Sequence, residues 1–128
     1  MVWYLDTSAF LKLVVDEAGS AGMRSWSLAH DGLWSSQVLR TEALRSAQRL
    51  GVEARSIDDA LETVSLVLPS VATYASAGRL LPQGLRTLDA LHLASALEIR
   101  PDLEGMVVYD QRLSDAAREA SISVVSPA

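Results

Sequence analysis

The chain contains no cysteine, so neither a disulfide framework nor a thiolate metal site can be built from it. That absence agrees with a cytoplasmic setting. No apolar run approaches the roughly 18 residues needed to cross a bilayer, and no membrane association is expected. A secretory leader is not expected either, because Met1-Val2-Trp3-Tyr4-Leu5 has no basic opening and meets Asp6 at once. Lysine occurs only as Lys12, and the 11 Lys+Arg face 16 Asp+Glu for a formal charge of -5. Phosphate binding usually draws on a basic surface, so this balance argues at first sight against nucleic acid. Repeats, linkers and low-complexity stretches are missing as well. What remains is 128 residues, 49% of them hydrophobic, which fits a single domain over 1–128 with a real core.

The apolar pattern predicts alternating strands and helices. Val2 to Leu5 is short and β-prone, and Asp6-Thr7-Ser8 offers capping side chains before Ala9-Phe10-Leu11. A helix is predicted from Glu17 to Ala29 and a short strand from Gly32 to Ser36. Val38, Leu39, Ala43, Leu44, Ala47 and Leu50 keep helical spacing until Gly51 ends the run. Ile57, Leu61 and Val64 suggest another helix, and Leu66-Val67-Leu68 a strand halted by Pro69. Further helices are predicted over Val71 to Leu81, Thr87 to Ile99 and Gln111 to Ala120. Met106 to Tyr109 and Ser123 to Val125 complete the strands. Such alternation implies an α/β fold with a central parallel sheet covered by helices on both faces.

Ligands of such sheets bind beyond the carboxyl ends of the strands. Four acidic residues fall where that crevice would gather them. Asp6 ends the first strand, Asp110 ends the strand reaching Tyr109, Glu42 lies on a helix, and Asp89 sits in the first turn of another. Each also has a plain structural reading, as a helix cap, a turn former or a solvated charge. Their combination is what points to chemistry. Four converging carboxylates repel one another and raise their own pKa values unless a cation intervenes. Magnesium, which takes oxygen ligands and keeps several waters, resolves that conflict.

The motifs around these residues resemble those of a known family. Val2-Trp3-Tyr4-Leu5-Asp6-Thr7-Ser8-Ala9 is similar to the opening strand of PIN-domain toxins of the VapC type. Arg40-Thr41-Glu42 resembles their second acidic motif and Leu88-Asp89-Ala90-Leu91-His92-Leu93-Ala94-Ser95-Ala96 their third. Val108-Tyr109-Asp110-Gln111-Arg112-Leu113, with Val125-Ser126-Pro127, resembles the fourth and the last strand. Val108 stands where the family usually carries Thr or Ser, and Ala120-Ser121-Ile122 where a Gly commonly precedes the last strand.

The resemblance implies a PIN-like three-layer α/β/α sandwich acting as a metal-dependent endoribonuclease. It implies Asp6, Glu42, Asp89 and Asp110 as catalytic and metal-holding residues, with Mg2+ as cofactor and Mn2+ as a substitute. An RNA substrate, a VapB-like antitoxin and a homodimer follow from the same source. Setting the four site carboxylates aside leaves the remaining charges nearly balanced, which weakens the objection from net charge. Arg86 and Arg40, with Arg45, Arg49 and Arg79 behind them, are candidates for contacting phosphate. Thr7 and Ser8, beside Asp6, are candidates for supporting its carboxylate and for contacting substrate. His92 lies one turn after Asp89, on the same helix face. A packed or hydrogen-bonded histidine is the expected reading there, with a catalytic imidazole as the other. Three rivals remain open. A haloacid-dehalogenase-like phosphatase would use Asp6 as nucleophile, but Ser8 occupies the place of its second Asp. A phospho-receiver would want a late lysine, which the chain lacks. A catalytically silent PIN-fold interaction module would not need the four acidic residues intact.

Overall fold

A computed structural model describes all of residues 1–128. The elements run β1 (Val2–Leu5), α1 (Thr7–Val14), α2 (Ser20–Leu28), β2 (Leu33–Ser36), α3 (Val38–Leu50), α4 (Ala54–Leu61), β3 (Ser65–Val67) and α5 (Val71–Gly78). Then come α6 (Thr87–Glu98), a 3-10 turn (Arg100–Asp102), β4 (Leu103–Val107), α7 (Gln111–Glu119) and β5 (Val124–Val125). The five strands form one sheet in the order β3-β2-β1-β4-β5, and every pairing is parallel. Parallel neighbours need a crossover of a dozen or more residues, which is why helices separate the strands.

Side-chain alternation divides the core between the two sheet faces. Trp3 and Leu5 of β1 and Val107 of β4 pack with Phe10, Met23, Leu39, Ala43, Ile57 and Leu61 from α1 to α4. Tyr4, Met106 and Val108 pack on the opposite face with Leu93 of α6 and Leu113, Ala116 and Ala117 of α7. The sheet is thus buried on both sides, and the architecture is a three-layer α/β/α sandwich. Helix α5 lies outside α6, where Ala77 meets Ala90, Leu91 and Ala94.

Several boundaries differ from the sequence expectation. Helix α2 starts at Ser20 rather than Glu17, because Gly19 sits at φ 88°, in the left-handed region that breaks a helix. Helix α5 stops at Gly78, short of Leu81. Strand β4 runs from Leu103 to Val107, so it begins earlier and stops two residues before Tyr109. Asp110 therefore does not end a strand. It follows β4 after Val108 and Tyr109 and caps α7 instead. The early start escaped the pattern because Glu104 and Gly105 interrupt the apolar run. Gly105 is there for space: a Cβ would stand 2.6 Å from the Trp3 ring and 2.7 Å from the Ser123 carbonyl.

The topology fixes where a ligand can enter. From β1 the chain builds outward through β2 to β3, then returns to place β4 on the other side of β1. The strand order reverses between β1 and β4, and in open parallel sheets the crevice lies at that switch point. The residues just beyond β1 and β4 are Asp6 and the segment Val108-Tyr109-Asp110.

Candidate active site

Asp6 caps α1 from an extended backbone (φ -82°, ψ 179°). Its Oδ1 accepts from the Ala9 amide at 3.0 Å and from the Ser8 hydroxyl at 2.6 Å. The Ser8 oxygen in turn accepts from the Tyr109 amide at 3.0 Å, tying the end of β1 to the segment after β4. Only 3% of Asp6 is exposed, yet its Oδ2 takes part in no hydrogen bond. Burial pushes the Asp6 carboxyl above its ordinary value, and the nearby Asp89 charge adds to the rise. Ser8, His92 and Ala9 offset part of it. Capping, which the sequence offered as the alternative to a site role, occupies Oδ1 alone and leaves Oδ2 without a protein partner.

Glu42 reaches the crevice from α3. Its Oε1 accepts the Thr7 hydroxyl at 2.8 Å and lies 2.7 Å from His92 Nε2. Burial alone would raise this carboxyl, but the His92 hydrogen bond and charge interaction, aided by Thr7 and Arg86, leave it below its ordinary value. His92 is almost wholly buried, and its Nδ1 lies 2.8 Å from the Tyr4 hydroxyl. Burial drives the Tyr4 phenol well above its usual pKa. The expected packed, hydrogen-bonded histidine is present, but its partner is the second acidic residue. Thr7 likewise serves Glu42 rather than Asp6, because the first turn of α1 turns its hydroxyl toward α3. Of the two hydroxyls, only that of Ser8 supports the Asp6 carboxylate directly.

The other two carboxylates share one cation. Arg86, the residue before α6, donates from Nε to Asp89 Oδ2 at 2.9 Å and from its terminal nitrogen to Asp110 Oδ2 at 3.1 Å. Asp110 Oδ1 accepts from the Leu113 amide at 3.1 Å, so both of its oxygens are engaged. The expectation that all four carboxylates repel one another therefore needs correcting. Arg86 pairs with Asp89 and Asp110, Thr7 and His92 hold Glu42 below its ordinary value, and burial drives the Asp6 carboxyl upward.

Arg40 does not join this group. It stands two positions from Glu42 on α3, which turns it to the opposite side of the helix. There its Nε donates to Gln37 at 3.3 Å, and it borders a groove with Asp58 and Glu62. Arg49 is spent on Ser46, at 2.8 Å. Val108, where a hydroxyl was expected from the family pattern, is fully buried in the core beneath α6 and α7. Tyr4 was legible only as a strand residue. The signal that would have found it is parity, since it alone of the β1 centre faces the helix carrying His92.

No three acidic or histidine side chains stand close enough to form a closed metal cage. These side chains therefore do not form the closed four-ligand arrangement of a structural zinc. Magnesium makes a smaller demand, because it keeps several waters and is commonly held by one or two carboxylates. The donor set fits that ion: all oxygen, with Asp6 buried as a residue and its Oδ2 left unpartnered by protein.

Comparison with known proteins agrees with this fold. The PIN domain family model matches residues 3–119. The ribonuclease VapC46 of Mycobacterium tuberculosis is 38% identical over 125 residues, covering 97% of this chain and 96% of that protein. Ribonuclease VapC47 from the same species is 35% identical over 133 residues with the same coverage. Among solved structures, M. tuberculosis VapC20, described as a sarcin-ricin loop cleaving toxin, superposes with a TM-score of 0.74 at 17% identity. That match covers 98% of this chain and 99% of VapC20. A toxin-antitoxin complex from Klebsiella pneumoniae also gives 0.74 at 18% identity, covering 100% of this chain and 98% of the matched one. Neither a phosphatase nor a phospho-receiver receives support from these relatives. Sheet order, crevice and full-length relatives agree, and this chain belongs to the PIN-domain family, among its VapC-type members.

Proposed function

We propose that this chain is a divalent-metal-dependent endoribonuclease, the toxin of a toxin–antitoxin pair, which hydrolyses RNA phosphodiesters in the crevice between β1 and β4. The observation that carries the reading is Asp6: a buried carboxylate at the switch point whose Oδ2 has no protein partner. Full-length similarity to ribonucleases supports the substrate class. Asp6 and Asp89 would hold magnesium, or manganese in its place, with Glu42 and Asp110 completing the acidic set. The ion supplies a bound water of lowered pKa and charge stabilisation at the scissile phosphate. The protein's part is orientation. Ser8 and the Ala9 amide fix one Asp6 oxygen so that the other points a defined way. Thr7 and His92 do the same for Glu42. Arg86, more than half exposed at its side chain, is the cation best placed to meet an RNA phosphate beside Asp89.

The partners proposed are RNA, a second copy of this chain and an antitoxin segment that covers the crevice. An antitoxin arginine would pair with the carboxylates as Arg86 already pairs with Asp89 and Asp110. The compartment proposed is the cytoplasm, where the RNA is. No helix is long and apolar enough to cross a membrane.

The test is RNA cleavage with magnesium by Asp6→Asn and Asp89→Asn variants, with circular dichroism to confirm the fold. Loss of an outer-shell partner typically costs about 10–100-fold in a metal site, so loss of a ligand charge should exceed about 100-fold. Wild-type rates in both variants would remove the site assignment.

A further inference from the structure

His92 stands out as a buried polar ring that the mechanism above uses only in passing. Helix α6 is buried without a break from Asp89 to Ala96, and His92 sits in that run at 1% exposure. An apolar side chain would fill this position without the cost of burying two ring nitrogens. Both nitrogens are instead satisfied, and they face opposite directions. Nδ1 meets the Tyr4 hydroxyl at 2.8 Å, deep in the core against β1. Nε2 meets Glu42 Oε1 at 2.7 Å and the Thr7 hydroxyl at 3.2 Å, at the edge of the crevice.

The hydrogen-bond roles follow from the partners. Glu42, held ionised, can only accept, so Nε2 must carry a hydrogen and donate. The Thr7 hydroxyl spends its own proton on the same oxygen. The Tyr4 phenol can serve Nδ1 as donor or as acceptor, so the arrangement stands in either charge state of the ring. Two donors thus converge on Oε1, and Oε2 is the one Glu42 oxygen without a protein bond.

We propose that His92, anchored by Tyr4, is the positioning residue for Glu42, pinning Oε1 so that Oε2 alone is presented to the cation or water at the site. Tyr4 belongs to the first motif strand, Glu42 to the second motif and His92 to the third, so the relay sets the spacing of α3 against β1 and α6. The inference rests on the function proposed above for this crevice.

Two amide substitutions separate positioning from packing. The Gln amide nitrogen reaches the place of Nε2, whereas the shorter Asn nitrogen reaches only that of Nδ1. His92→Asn should therefore keep the Tyr4 contact and lose Glu42, and His92→Gln should do the reverse. On RNA with magnesium, His92→Asn should lower kcat about 10–100-fold, the usual cost of losing an outer-shell partner, with KM little changed. His92→Gln should recover most of that loss. In a Glu42→Gln background, His92→Asn should cost less than about twofold more. Manganese titration calorimetry supplies a readout apart from activity: binding should weaken about tenfold in His92→Asn and much less in His92→Gln. Equal losses in the two variants, or a full His92→Asn loss in the Glu42→Gln background, would overturn the proposal. If the wild type cleaves no RNA while the manganese ranking holds, the function fails and the positioning role stands. If RNA is cleaved normally and the ranking is absent, only the positioning role fails.

Discussion

Asp6 and Glu42 stand within one crevice, yet their surroundings drive their ionisation in opposite directions, and this has consequences for stability. Asp6 is raised above its ordinary 3.8, chiefly by burial. The stability it contributes is present below that value and lost as pH rises through the raised folded value. Asn keeps the capping oxygen without the charge. In metal-free buffer, Asp6→Asn should thus melt above wild type at about pH 7, with the advantage shrinking as pH falls toward 4. Glu42 is lowered from 4.5: burial opposes its charge, but the His92 and Thr7 bonds outweigh it. Its contribution is present above 4.5 and is lost as pH falls through the depressed folded value. Glu42→Gln should be destabilising at neutral pH and progressively less so in acid. Thermal melts across that range check both, and two variants with parallel pH profiles would contradict the assignment.

At the scale of elements, β4 carries the tightest steric demand near the site. Gly105 lies where the Trp3 ring and the Ser123 carbonyl leave no room for a methyl group. Gly105→Ala should destabilise by about 1–3 kcal/mol, the range for overpacking a filled core. Denaturant midpoints measure this, and an unchanged midpoint would mean that β4 and β5 separate freely. Helix α6 shows the limit of pattern reading. It is buried on nearly all sides between the sheet and α5. Its motif was legible, but which polar group each buried side chain meets was not. Helix α3 was legible to the residue at both ends, since Gly51 at φ 69° supplies the left-handed stop that the sequence announced.

At the scale of the molecule, the acidic crevice predicts a response to metal. Magnesium or manganese should restore cleavage after EDTA, with calcium poorer because it prefers more oxygen ligands at longer distance. A ligand that binds only the folded state adds about 2.7 kcal/mol at 100 times its Kd. Magnesium should therefore raise the melting temperature of wild type and leave Asp6→Asn nearly unmoved. Cleavage that persists in excess EDTA would refute the metal mechanism. A homodimer is the expected assembly; of the three tryptophans Trp3 is buried, and Trp26 and Trp34 are half-buried. Of the exposed large apolar side chains, Leu68, Val71, Tyr74, Leu81 and Leu88 gather around α5 and the start of α6, while Met1, Leu28 and Leu50 lie on other elements. Val71 and Tyr74 lie one turn apart, as a helical contact face requires. Sedimentation at micromolar concentration should give a dimer, and Val71→Asp should shift it toward monomer. A monomeric wild type would count against the assembly.

The sequence by itself determined the strand and helix order, the parallel sheet, and the elements at which Asp6, Glu42 and Asp89 stand, whereas Asp110, expected at a strand end, caps α7. These follow from local properties: apolar periodicity, capping residues and motif spacing along the chain. Only the tertiary structure decided what each side chain meets. Arg40 turns away from Glu42 because two positions on a helix face opposite sides, while Arg86 holds Asp89 on its own helix turn and reaches Asp110, 24 residues further along the chain. Tyr4 and His92 are 88 residues apart and become partners because β1 and α6 share one buried face. A hydrogen bond between distant residues depends on how layers stack and on the direction in which each side chain leaves its element, and neither is written in local periodicity.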